Sequence, residues 1–179
     1  DLKAARLANE QALGLRQKSA VAAWVDVSEL DLARIDLLEG ELTRAEVTCR
    51  RLAQRMEDPR DAAAAELLLA QVLIARDRRS EAARLLENST LRRLDGHPDA
   101  ALVLESELML ALAFGADRER LAMMRETAER GDFQLLALRA SLAESASAAL
   151  PPTLVDALEK RGLTAWSILV RALSASGAR

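Results

Sequence analysis

The fold is decided by two adjoining stretches, Glu66–Leu73 (ELLLAQVL) and Arg79–Leu86 (RSEAARLL). Their apolar residues follow the period of an α-helix, and alanine and leucine are both good helix formers. The turn between them, Asp77–Ser80 (DRRS), is polar and short. Two helices joined by so short a turn fold back on each other as an antiparallel hairpin. The segment therefore predicts a pair of packed helices.

An earlier segment repeats this layout at a constant shift of 37 residues. The matching positions are Ala33 with Ala70, Gly40 with Asp77, and Ala45 with Ala82. Each hairpin thus has a small alanine on both of its helices. Packed helix axes lie about 8–10 Å apart, and a small side chain permits the closest approach. A hairpin of this size cannot bury its apolar face alone, so we expect it to stack on its neighbours.

The remaining sequence also predicts helices, separated by glycine, proline or polar turns. The stretch Val25–Ser28 (VDVS) predicts a break between the first two helices, with Ser28 as an N-cap. The predicted helices cover about residues 2–25, 28–39, 42–56, 60–76, 79–88, 98–114, 117–130, 133–147, 153–161 and 164–175. The chain is therefore predicted to be all-α, with about nine or ten helices.

The two matched hairpins resemble the tetratricopeptide repeat over about residues 28–94. The resemblance is carried by Glu66–Leu73 with Arg79–Leu86, and by Leu32–Ala33, Gly40 and Arg44–Glu46 in the first hairpin. It implies antiparallel hairpins stacked as an α-solenoid, a right-handed superhelix. Two features depart from the family: Leu73 and Asp36 replace its usual aromatic residue, and the interval exceeds roughly 34 residues. A non-repetitive helical bundle is the alternative.

The repeat interpretation predicts one helical-repeat domain over residues 1–179. Its parts are an N-terminal helix (2–27), two tetratricopeptide-like hairpins (28–58 and 60–94), a degenerate hairpin (98–131) and C-terminal capping helices (133–179). The chain begins with Asp1 and not with methionine. We therefore expect it to be a piece of a longer protein.

The sequence offers little chemistry for catalysis, and we expect no enzyme, no cofactor and no metal. His97 is the single histidine and lies in a predicted loop, where no partner for general-base catalysis is near in sequence. Cys49, the single cysteine, lies on an apolar helix stripe and is predicted to be a buried small hydrophobic residue. Motifs for phosphate loops and zinc sites are absent from the sequence.

Charge and hydropathy narrow the class of partner. The net charge is −3, whereas nucleic-acid binders are usually strongly basic, so a nucleic-acid partner is not expected. Arginines between Arg50 and Arg93 form a locally basic cluster, read as a solvated face or as a patch for an acidic partner. No apolar run is long enough to cross a membrane, and we expect a cytoplasmic protein.

Trp24 and Trp166 are predicted to plug the ends of the stack, with an exposed anchor as the alternative.

The resemblance also implies a binding groove on the first helix of each hairpin. The implied groove residues are Leu30, Arg34, Leu37, Leu67, Gln71 and Ile74. Arg34 and Gln71 stand where a carboxylate clamp would have asparagine, so the ligand is predicted to be an amphipathic helix or an extended apolar peptide.

The predicted function is a protein-protein interaction scaffold in a larger bacterial regulator, binding a protein or peptide partner. The alternative is an intramolecular sensor or oligomerisation segment that controls an adjacent DNA-binding or kinase domain. The sequence leaves open whether the chain forms a homodimer.

Overall fold

A computed structural model describes residues 2–19, 22–90, 100–114 and 118–146. Within these ranges the chain forms eight α-helices and no strand, which confirms the predicted all-α class. The helices are α1 (Leu2–Lys18), α2 (Ala22–Glu39), α3 (Leu42–Arg55), α4 (Pro59–Ala75), α5 (Arg79–Glu87), α6 (Ala100–Phe114), α7 (Arg118–Arg130) and α8 (Gln134–Ala146). The predicted ninth and tenth helices, the loop at 95–98 and Trp166 lie outside the described residues.

The helices pack sequentially in antiparallel pairs. Each described helix contacts the next one along the chain, and α2, α4, α6 and α8 also contact one another in that order. A continuous core of leucine, alanine and methionine runs from α2 to α8. Helix α1 lies at one end of this arrangement and packs on α2.

Three of the helices end in the same way. A residue in the left-handed region follows α2, α4 and α7: Gly40 (φ 84°), Asp77 (φ 60°) and Asp132 (φ 58°). The next residue then donates its N–H to the carbonyl five positions back, at 2.8 Å: Glu41 to Asp36, Arg78 to Leu73, and Phe133 to Ala128. This is the Schellman cap, and aspartate tolerates the left-handed region better than most residues. Gly40 and Asp77 are therefore equivalent, as the 37-residue shift predicts.

The alanines of the predicted repeat also occupy equivalent places. Ala33, Ala45, Ala70 and Ala82 are each 0% exposed. Large leucines such as Leu52, Leu73 and Leu86 fill the core around them. All four small residues therefore lie in the core, and their place at the closest approach of the helices stays a prediction.

The predicted break at Val25–Ser28 is wrong, because α2 begins at Ala22 and continues through it. The polar residues that suggested a break, Asp26 and Ser28, belong to α2. Both are buried, and both are paired with residues of other helices. Arg55 of α3 forms an ion pair with Asp26, and Arg16 Nη1 of α1 donates to Ser28 Oγ. These tertiary contacts offset the weak helix propensity of the stretch.

Candidate functional site

The structure buries most of the groove residues that the resemblance implied. Leu30, Leu37, Leu67, Gln71 and Ile74 are all buried within the chain itself. Arg34 is exposed, and its Nη1 forms an ion pair with Asp31 Oδ1 at 2.6 Å. The expectation that these residues form an exposed surface therefore does not hold for five of the six. Contact between them and a partner stays a prediction.

Gln71 belongs instead to a polar row that links three helices. Gln71 Nε2 of α4 donates to Glu105 Oε1 of α6 at 3.0 Å, and Arg139 Nη1 of α8 donates to the same oxygen at 2.5 Å. Each step along this row is 34 residues. These two hydrogen bonds connect α4, α6 and α8. Sequence reasoning missed Glu105 and Arg139, because the 34-residue interval becomes visible only once the helices are packed.

The basic cluster is largely neutralised by ion pairs. Glu46 of α3 is buried, and its carboxylate accepts hydrogen bonds from Arg76 Nη1 at 2.7 Å and from Arg78 Nη1 at 2.6 Å, while Arg50 lies at 2.6 Å. Other arginines of the cluster pair in the same way: Arg51 with Glu29, Arg55 with Asp26 and Glu29, and Arg79 with Asp77. Arg92 and Arg93 lie outside the described residues. Most of these arginines thus pair with carboxylates of the same chain, and several of the pairs connect different helices.

Of the two residues that the sequence singled out for possible catalysis, Cys49 is buried and His97 lies outside the described residues. Cys49 is buried as predicted, and loss of hydration on burial raises the pKa of its thiol to about 12. His97 lies in the range that the structure does not describe. The described residues hold no group of three or more His, Cys, Asp or Glu side chains arranged to bind a metal ion. Likewise, no described helix is long and apolar enough to cross a membrane.

Within the part of the chain that the structure describes, a partly apolar surface is exposed on α1 and the start of α2. It consists of Ala4, Leu7, Ala8 and Leu15 of α1 together with Trp24 of α2, and we call it the N-terminal face. Leu7 is 57% exposed, Leu15 69% and Trp24 59%. The exposed side of α1 also carries Glu10 and Gln11 between Leu7 and Leu15, whereas Ala5 and Ala12 are less exposed. Among the described helices, α1 alone has no buried residue.

A concave space adjoins this face where α1 meets α2. Its volume is about 590 Å³, and it is lined by Leu15, Arg16, Ser19, Trp24 and Val27. Arg16 Nη1 donates to both the Trp24 carbonyl and Ser28 Oγ, so the guanidinium group ties the two helices together. The expectation that Trp24 plugs the end of the stack is wrong, since its indole is mostly exposed. The alternative, an exposed anchor, agrees with this position.

The rim of the N-terminal face is basic. Helix α1 carries four basic residues, Lys3, Arg6, Arg16 and Lys18, and one acidic residue, Glu10, which gives it a net charge of +3. Arg6 is turned toward α2, where it forms ion pairs with Asp36 at 2.6 Å and Glu39 at 2.7 Å. Lys3 and Lys18 are exposed near the two ends of the helix. A ligand on this face therefore meets Leu7 and Leu15 together with the exposed polar side chains of Glu10 and Gln11.

The chain matches no protein-family model, no curated protein and no solved structure at a significant level. The resemblance to the tetratricopeptide repeat therefore rests on the hairpins themselves. The function has to be inferred from the surfaces that the helices present.

Proposed function

We propose that this chain is a protein-interaction module, a tetratricopeptide-like α-solenoid that binds a helix of a partner on its N-terminal face. The partner is a separate protein or a neighbouring domain of a longer regulator. One observation carries the proposal: Leu7 and Leu15 of α1 and Trp24 of α2 are exposed, and a pocket adjoins Leu15 and Trp24. Binding a helix on an apolar face is a common mode of protein recognition.

The N-terminal face exposes large apolar side chains to solvent. Here the outer face exposes Leu7, Leu15 and Trp24 together. Burying a large apolar side chain contributes up to about 1.5–3 kcal/mol, so covering these three side chains favours association.

A partner helix would lie on the side of α1 that faces away from α2. Helix α4 contacts both α3 and α5, and α1 packs on α2. Ala4 and Ala8 lie one turn apart on the uncovered side and permit close approach of a second helix axis. Leu7 and Leu15 then fit between its side chains, and a bulky residue of the partner enters the space beside Trp24.

Selection of helical peptides from a displayed random library tests this function without knowledge of the natural partner. We expect peptides that bind the full chain to lose binding to the double variant Leu15→Ala, Trp24→Ala. The matched control is Val47→Ala, Met123→Ala, because Val47 is 64% and Met123 59% exposed, on α3 and α7. Selected peptides should bind this control as they bind the unchanged chain.

Two outcomes would contradict the proposal. Peptides that bind the Leu15→Ala, Trp24→Ala variant unchanged would place the binding surface elsewhere. A library that yields no helical binder at all would remove the support for an interaction module of this kind.

A further inference from the structure

We infer that α1 is a latch, which docks on α2 or is released from it while helices α2 to α8 stay folded. Docking assembles the space beside Trp24, because α1 contributes Leu15 and Arg16 to its wall and α2 contributes Trp24 and Val27. As a control on partner binding the inference rests on the proposed function, whereas the release of α1 itself does not. Four features carry it: the exposure of α1, the contacts that hold it, the state of α2 without it, and the weakness of α1 as a helix.

Helix α1 lies outside the core of the described chain. None of its residues is buried, and the core cluster that runs from α2 to α8 includes no residue of α1. Its best covered apolar side chains, such as Leu2, Ala5 and Leu13, are only partly buried. Local opening costs the least free energy where few apolar contacts are buried. Release of α1 therefore leaves the core contacts of the other described helices in place.

Two arginines hold α1 on α2. Arg6 Nη2 lies 2.6 Å from Asp36 Oδ1 and 2.7 Å from Glu39 Oε2, and Arg16 Nη1 donates to Ser28 Oγ. Hydrogen bonds between charged groups are stronger than neutral ones and require a defined geometry. The docked position of α1 therefore depends on Arg6, and its loss should favour the released form.

The buried acceptor of the Arg6 contact keeps a partner when α1 leaves. Arg44 Nη2 of α3 lies 2.7 Å from Asp36 Oδ1, the same oxygen that Arg6 contacts. A buried carboxylate that loses its last cation is strongly destabilising, and Arg44 prevents this. The two guanidinium groups also repel each other at this oxygen, which weakens the hold of Arg6. Release of α1 thus costs less than the breaking of an isolated buried ion pair.

Helix α1 is also weak by itself. Gly14 lies inside it, where glycine is less favourable than alanine. A Cβ added at Gly14 would meet nothing within 4 Å, so packing within the described chain does not require glycine there. A separate helix of 17 residues is marginal in water, and we expect α1 to unfold on release. Exchange of its amide hydrogens then measures how often it is released.

Hydrogen exchange of the full chain, followed by nuclear magnetic resonance at single amides, tests the latch. We expect hydrogen-bonded amides of α1 to exchange at least about a hundredfold faster than those of α4. Arg6→Ala removes contacts that exist only in the docked form. It should speed exchange in α1 about ten- to a hundredfold and leave α4 unchanged.

Two further variants should act in the opposite direction. Arg44→Ala removes the other partner of Asp36, so that release of α1 leaves this carboxylate unpaired. Exchange in α1 should then slow about fivefold, although an ion pair has been lost. Gly14→Ala should slow it about two- to fivefold by strengthening the helix. Equal slowing in α1 and α4 would show that α1 opens only with the whole chain, which would overturn the latch.

Peptides selected on the N-terminal face connect the latch to binding. A peptide that contacts Leu15 and Trp24 together binds the docked form, so it should slow exchange in α1. Arg6→Ala should weaken its binding, because a smaller fraction of the chain is docked.

The outcomes separate this inference from the proposed function. If α1 exchanges as slowly as α4 and Arg6→Ala changes neither, the latch is overturned, and peptide binding is judged by its own experiment. If peptides bind and exchange in α1 does not slow, the face works without docking and the control of binding is overturned. If no peptide binds while the variants behave as expected, the proposed function fails and the latch is supported.

Discussion

Helices α1 and α4 are the same length and have the same number of leucines, yet their surroundings are opposite. Each has 17 residues and four leucines. All four leucines of α4 are buried, as are eight further residues of that helix, whereas α1 has none buried. Helix α4 contacts α2, α3, α5 and α6, and α1 packs on α2. The position of a helix in the array decides which of its apolar side chains are covered.

Thiol reactivity gives the largest expected difference between an inner and an outer position. Burial raises the pKa of Cys49 to about 12 from an ordinary 9.0, which lowers its thiolate fraction about a thousandfold. We therefore expect Cys49 to react with a thiol reagent only after unfolding. In the Cys49→Ala background, Leu15→Cys should react at once. Absorbance of the released chromophore measures both rates, and rapid labelling of Cys49 in the folded chain would contradict the account.

Removal of a leucine from α4 should cost the most stability among the simple truncations. Leu73 is almost completely buried, and Leu73→Ala leaves a cavity between α4 and its neighbours. We expect the free energy of unfolding to fall by about 2–5 kcal/mol. Urea unfolding followed by circular dichroism measures the change. A loss as small as that from an exposed leucine would show that the core is not packed around α4.

Loss of the buried carboxylate of α3 should have an intermediate effect. Glu46→Gln removes the charge on which Arg50, Arg76 and Arg78 converge. All three arginines are at least one third exposed and are hydrated when released, so we expect a loss of only about 1–2 kcal/mol. The cost should shrink in high salt. An unchanged urea midpoint would mean that these ion pairs do not brace the hairpin.

Truncation on the N-terminal face should have the smallest effect on stability. Leu15→Ala and Trp24→Ala remove side chains that are already mostly in water. We expect each to change the free energy of unfolding by no more than about 0.5 kcal/mol, while peptide binding is lost. The same urea measurement applies to both variants. Losses as large as that of Leu73→Ala would mean that α1 is covered in the folded chain.

Local signals in the sequence were sufficient for most helix boundaries. Helices α3 to α8 begin and end within two residues of the predictions. The turns at Gly40 and Asp77 and the four buried alanines were predicted by their shared 37-residue shift. These features succeed because caps, turns and helical periodicity depend on residues close together in the chain.

Features that depend on distant partners were missed. The polar residues Asp26 and Ser28 suggested a break in the helix. Their partners, Arg55 and Arg16, lie on other helices, so the local sequence does not reveal these contacts. The implied groove residues, such as Leu67, were expected to be exposed, yet α4 is enclosed by the helices around it. Trp24 was expected to plug the end of the stack because an indole can bury a large area, yet it is mostly exposed.

Nuclear magnetic resonance of the chain with labelled leucine methyl groups tests the N-terminal face against the implied groove most directly. On addition of a selected helical peptide, we expect shifts in the methyl signals of Leu7 and Leu15 and in the indole N–H of Trp24. The signals of Leu37 and Leu67, which the chain buries, should stay in place. Shifts at Leu37 and Leu67 with none at Leu15 would contradict the account.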